Sequence, residues 1–273
     1  CAGEDYYFDV QKSWLKEITG ITIPTIHLPL PRDQRYPFPS SVISRENTLA
    51  EILDCIVPAL HQNSPIIIYG EPGIGKTTLV EQFEKEYRKG SKLKFHLPDG
   101  VLSAYLGGTK PDMAILEWLS SLNGGLDFSL FDQDQIRNSL KKKLSDKRKL
   151  VLIDDVQKVD HANILLDTIP TSSVAVISTN QKTVADHFKT KDSQQITMQG
   201  FSLEQTGRYY KTITGKQNPN TSKIESLRKA FHGNPLALFF AFKLLKAQKN
   251  DWDLVLQLLD ETRVDFPQNF GDS

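Results

Sequence analysis

Residues 65–78 read PIIIYGEPGIGKTT, and this string restricts the possible folds more than any other part of the chain. Ile66, Ile67, Ile68 and Tyr69 favour a strand. Leu79, Val80 and Phe83 continue at helical spacing, and the glycines between mark a tight loop. A strand that empties through such a loop into a helix belongs to an α/β protein. Gly70, Gly75, Lys76 and Thr77 satisfy G-x-x-x-x-G-K-[ST], in which the backbone curls so that successive amides point at one anion. The backbone from Gly73 through Ile74, Gly75 and Lys76 to Thr77 and Thr78 is therefore the expected phosphate cradle. Lys76 reaches the β- and γ-phosphates, the Thr77 hydroxyl ligates Mg²⁺, and the helix beginning here aims its positive dipole end at the same charge.

A phosphate loop needs acids at the tip of a neighbouring strand before it can hydrolyse anything. Residues 149–156, KLVLIDDV, supply them. Leu150 to Ile153 compose a fully buried strand, and Asp154 and Asp155 stand at its C-terminal end, where open parallel sheets place ligands. Asp154 is expected to hold Mg²⁺ through water and Asp155 to orient or deprotonate the attacking water. Lys76, Asp154 and Asp155 form the expected catalytic set, and Thr77 and Asp154 the metal set. The plainer alternative is that the paired acids cap the following turn. A strand over 173–178 ends at Ser178, Thr179 and Asn180, which puts Asn180 in reach of a γ-phosphate. An ordinary turn explains the same three residues.

Thr109, Lys110, Pro111 and Asp112 spell the T-K-x-D that reads guanine. In GTPases that string follows the acid strand and a D-x-x-G. Here it precedes the acids, and Gln157 stands where the glycine belongs, so adenine is the expected base.

The other strands are expected at about 92–96 and 194–198, with helices over 46–61, 76–88, 111–122 and 132–146 and two shorter ones before the fourth and fifth strands. Strand and helix alternate, which requires parallel pairing. A strand lying in sequence between loop and acids suits the ASCE branch of P-loop ATPases, with its inserted strand beside the nucleotide. After Gly200 the pattern is helical: Ser202 with Gln205 makes a capping box, Thr221 or Ser222 opens a second helix, and Pro235 a third. The expected fold is a five-stranded parallel P-loop ATPase sheet flanked by helices, followed by a small all-helical subdomain. The expected domains are an N-terminal extension with a proline-dense linker over 1–40, the nucleotide domain over 41–199 and the helical subdomain over 200–273.

Hydrophobic residues make up 39% and charged residues 24%, an ordinary globular balance. The 33 basic and 33 acidic residues cancel, so nothing in that balance calls for nucleic acid or an anionic membrane and neither is the expected partner, although a local patch is compatible with it. The basic run over 141–149 reads as a solvated helix end. Cys1 and Cys55 suggest neither a disulfide framework nor a zinc site. No apolar run approaches the ~20 residues of a spanning helix, so a cytoplasmic protein is expected. A start at Cys1 suggests a segment of something longer.

Three further strings, SVISRENTL at 41–49, IDDV at 153–156 and GNPLAL at 233–238, join GEPGIGKTT to make a pattern that resembles the NB-ARC family of STAND P-loop ATPases. That family includes apoptosome scaffolds, plant disease-resistance receptors and bacterial relatives. The resemblance spans residues 41 to about 262. It implies that the backbone at Val42 and Ile43 reads the adenine edge with Arg45 nearby, that Pro235 packs on the nucleotide from an ARC1-like helical part, and that the protein is a defence or cell-death switch. ADP locks such a protein, exchange for ATP frees it to assemble and slow Mg²⁺-dependent hydrolysis is its timer, with other domains of the full-length protein and a nucleotide-dependent homo-oligomer as partners. Ser44 stands where that family has glycine and Asn180 where it has arginine; an asparagine there resembles the AAA+ ATPases. The alternative is an AAA+-type ATPase doing remodelling or loading work on protein or DNA.

Overall fold

Alternation puts Ile67 on one side of strand β1 (Ile66–Tyr69) and Ile66 and Ile68 on the other, and all three are fully buried. Burying each contributes about 2 kcal/mol, which only a sheet covered on both faces provides. The computed structural model describes residues 43, 45–90, 92–123, 132–189, 194–218, 220–248, 251–253 and 255. Val42 and the segment 1–40 lie outside the described residues. The chain divides into two compact units, one of them Ser44–Gly200.

That unit opens with α1 (Glu46–Gln62), β1 and α2 (Lys76–Arg88), followed by α3 (Leu93–His96), β2 (Val101–Tyr105), α4 (Pro111–Asn123) and α5 (Gln133–Leu144). It ends with β3 (Leu150–Asp154), α6 (Val159–Leu166), β4 (Val174–Thr179), α7 (Lys182–Phe188) and β5 (Gln195–Thr197). The five strands lie in the order β2-β3-β4-β1-β5, and every pair is parallel. Tyr69 sits level with Thr179 and Tyr105 level with Asp154. The C-terminal tips of four strands thus share one edge.

One apolar layer joins Ile67, Val151, Ile153, Ala175 and Ile177 to Ile115 and Leu119 of α4 and Leu140 of α5. The other joins Ile66, Ile68, Leu152 and Val176 to Ile52 and Ile56 of α1 and Leu79 and Phe83 of α2. The two helices of the second layer fix the start and end of the phosphate loop against the sheet. α5 begins as its sequence demands, with an Asp132–Gln135 capping box.

One strand lies elsewhere than expected. Residues 92–96 are not a strand but hold the single-turn helix α3, and the strand is β2, nine residues further on. Leu93, Phe95 and Leu97 alternate in sequence, but Leu93 and Leu97 are buried while Phe95 is 82% exposed, the spacing of one helical face. In space it is β4, not the strand that precedes the acids in sequence, that lies between the loop strand and the acid strand.

The other unit contains α8 (Leu203–Thr214), α9 (Thr221–Ala230) and α10 (Pro235–Ala247). Ser202 and Gln205 form the expected capping box, and the second helix opens at Thr221 as expected, with Asn220 as its cap. Tyr210, Ile213, Leu227, Leu238, Phe242 and Leu245 are its core, with Ile43 packed against it. Among the described residues no helix is long and apolar enough to cross a membrane.

Candidate nucleotide-binding site

The loop leaves β1 at Gly70, whose N–H donates to Thr179 O at 3.3 Å. A β-carbon at Gly70 would stand 3.0 Å from the Ile74 side chain and 3.1 Å from Met198, so the chain turns here against the core. Ile74 is buried in that core and holds the loop down by its side chain. Gly73 and Gly75 take φ of 76° and 96°, a region that L-residues other than Asn and Asp rarely enter. Gly75 is also the N-cap of α2, so the curl delivers the first amides of the helix, Lys76 to Thr78, to the mouth of the loop.

Lys76 is buried, and its ammonium donates to Gly70 O at 2.8 Å and Glu71 O at 3.0 Å. Burial lowers its pKa to about 8, against the opposing pull of Asp155, Asp154 and Glu71. Arg45 braces the loop from behind: its guanidinium donates to Ile74 O and to Gln199 O, both at 2.7 Å. Burial draws the Arg45 pKa down to about 10. Arg45 thus fixes the Ile74 carbonyl at the end of the loop.

Asp154 is buried at the tip of β3. The Ser178 hydroxyl donates to its Oδ1. Burial pushes its carboxyl up, and hydrogen bonds from Ser178 and Thr77 pull it back. Thr77 and Asp154 therefore meet, one hydroxyl and one carboxylate of hard oxygen character. Among the described residues there is no cluster of three or more His, Cys, Asp or Glu, so no all-protein metal cage exists there. The pair fits Mg²⁺, which binds through one or two such ligands together with phosphate oxygens and water.

Asp155 adopts φ of 56°, in the left-handed region that Asp enters more readily than most side chains. Its N–H donates to Ser178 Oγ at 3.0 Å, so one serine organises both acids. Oδ2 accepts from the Tyr105 hydroxyl at 3.2 Å and Oδ1 from Gln157 Nε2 at 2.6 Å. The backbone of Gly107 passes so close that a β-carbon there would overlap Asp155 Oδ2 and the Tyr105 hydroxyl. Asn180 lies one residue past β4, and its Oδ1 accepts from Gln181 Nε2 at 3.0 Å.

The loop residues from Gly73 to Lys76, with Arg45, Thr77, Asp154, Asp155 and Asn180, all belong to the Ser44–Gly200 unit. Pro235 and Ile43 belong to the other: Pro235 is the first residue of α10, capped by Asn234, and Ile43 packs in the helical core. Gly233 O accepts from Phe201 N–H at 2.7 Å. Tyr105 and Gly107 are not among the expected site residues, because the sequence pattern places the strand at 92–96 rather than at Val101–Tyr105. The Gly107–Gly108 pair was the available signal.

Residues 60–180 match the family model described as an AAA domain, a stretch running from the end of α1 to Asn180. The chain is 28% identical over 149 residues to the chaperone protein ClpB of Mycoplasmoides gallisepticum, covering 50% of this chain and 18% of ClpB. It thus spans less than a fifth of that relative. Among solved structures, Drosophila ORC bound to DNA superposes with a TM-score of 0.58 at 16% identity, covering 94% of this chain and 73% of that one. The ADP form of Aeropyrum pernix ORC2 superposes with a TM-score of 0.54 at 15% identity, covering 84% and 71%. The fold is that of a P-loop ATPase domain. These matches lend no support to the NB-ARC assignment in particular.

Proposed function

We propose that this chain binds and hydrolyses ATP as an AAA+-type module that couples turnover to work on a macromolecule, nucleic acid or protein. The observation that carries the reading is the approach of Lys76 and Thr77, at the end of the phosphate loop, to Asp154 and Asp155 on a strand two places away in the sheet. Loop amides and the Lys76 ammonium grip the phosphates. Thr77 and Asp154 hold Mg²⁺, which neutralises charge between phosphate oxygens. Asp155 orients the attacking water and accepts its proton. Adenine is supported over guanine because Asp112 of the T-K-x-D string is bound to Arg137 at 2.7 Å, and Pro111 merely starts α4.

The match to an AAA domain and the likeness to ORC proteins favour this reading. The expectation against a nucleic-acid partner is withdrawn: the ORC structure that shares this fold has DNA bound, and a neutral net charge does not forbid a local basic surface. A second reading, the NB-ARC switch in which ADP and ATP set conformation and assembly, is favoured by the GNPLAL string. Its residues are also accounted for locally. Gly233 closes the end of α9, and Asn234 and Pro235 start α10, so the AAA+ reading stands first.

Lys76→Ala is expected to abolish binding of fluorescent ATP and ADP by a chain that still unfolds cooperatively in urea. Asp155→Asn is expected to keep binding and lose hydrolysis by about 100-fold or more. Unchanged ADP affinity in the first variant, or wild-type phosphate release in the second, refutes the assignment. Turnover raised by duplex DNA or unfolded protein supports the AAA+ reading, whereas tightly retained ADP with unstimulated turnover supports the switch.

A further inference from the structure

We infer that Gln157 and Gln181 are positioning residues, a two-amide relay through which the charge on Asp155 decides which way the Asn180 side chain faces. Gln157 Nε2 donates to Asp155 Oδ1 at 2.6 Å. Gln181 Nε2 donates to Gln157 Oε1 at 2.9 Å and to Asn180 Oδ1 at 3.0 Å. The chain of contacts runs from the tip of β3 to the tip of β4.

Its polarity is not free. An ionised carboxylate only accepts, so Gln157 must turn its NH₂ to Asp155 and its oxygen away. That oxygen needs a donor, so Gln181 must present its NH₂. The same NH₂ has a second hydrogen, and Asn180 must offer its oxygen to receive it. The amide nitrogen of Asn180 is left as the open end of the relay. A carboxylate at one end settles the orientation for all three amides. Reversing any one amide would set two oxygens or two NH₂ groups against each other.

The consequence concerns the γ-phosphate, and here the inference rests on the ATPase reading. A phosphoryl oxygen accepts hydrogen bonds, so an Asn180 with its nitrogen outward attracts it, whereas the flipped amide would repel it. Asp155, which acts on the water, thereby also prepares the residue that meets the phosphate. Gln157 occupies the position where a GTPase would have glycine, and with glycine there the relay would not exist.

Two measurements on the full chain separate the relay from the functional reading. In ¹⁵N-labelled protein without nucleotide, Asp155→Asn removes the charge that sets the polarity and is expected to shift the Asn180 side-chain NH₂ resonances. In a Gln157→Leu background the same substitution is expected to leave them unmoved. Resonances indifferent to Asp155→Asn, or shifted equally in both backgrounds, overturn the relay.

In the second measurement, Gln157→Leu is expected to lower the preference for AMP-PNP over ADP by about tenfold, the size of one hydrogen bond to a charged oxygen, with ADP affinity and stability unchanged. Combined with Asn180→Ala it is expected to do no further harm. Losses that multiply, or an ADP affinity that falls equally, overturn the coupling. A wild-type chain that binds neither nucleotide defeats the ATPase reading and the phosphate role together, and the spectra then still decide the relay.

Discussion

Lys76 stands within reach of two loop carbonyls and near two acids, and burial holds its pKa at about 8 in the free protein. A bound polyphosphate favours the charged ammonium, so binding raises that pKa. Below pH 8 Lys76 is already protonated and affinity is full. Above pH 8 each binding event must take up a proton, and affinity falls by up to about tenfold per pH unit until the bound-state pKa is reached. Calorimetric titration of ADP between pH 6.5 and 9.5, in buffers of different ionisation enthalpy, should show both the decline and the proton uptake; a flat profile refutes the assignment of Lys76 to the phosphates. Lys76 and Thr77 were legible in sequence because their chemistry is carried by spacing along a continuous loop. Tyr105, Ser178 and Gln157 as partners of Asp155 were not, since their contacts depend on which strands are neighbours and in what register.

At the scale of elements, most helices announced themselves through caps and apolar spacing, as at Ser202–Gln205. The failure at 92–96 has a specific cause. KLKFHL satisfies a two-residue period, while the true strand VLSAY carries serine and alanine, which have little strand preference. Its register against β3, Val101 to Leu150 through Tyr105 to Asp154, is imposed by packing of Leu102 and Ala104 under α4. This assignment predicts unequal costs. Phe95→Lys, at an exposed position, should change stability in urea by less than about 0.5 kcal/mol, whereas Leu97→Ala, at a fully buried one, should cost about 2–5 kcal/mol. Equal losses at the two positions would restore the strand reading.

For the whole molecule, the two units have separate cores, and every phosphate and metal group named above lies in Ser44–Gly200. Mg–ADP at about 100 times its Kd should therefore stabilise that unit by about 2.7 kcal/mol. Scanning calorimetry should show the shift in the wild-type chain and none in Lys76→Ala; an equal shift in both would refute the site. The chain on its own determined that residues 65–78 form strand, loop and helix, and that a second buried strand ends in two acids. Both follow from residue types in unbroken succession, whose steric and apolar preferences act over a few residues. Only the folded sheet decided what those acids touch. Placing β4 between β1 and β3, and Tyr105 level with Asp154, required burial of side chains tens of residues apart, and no local preference in the chain specifies those neighbours.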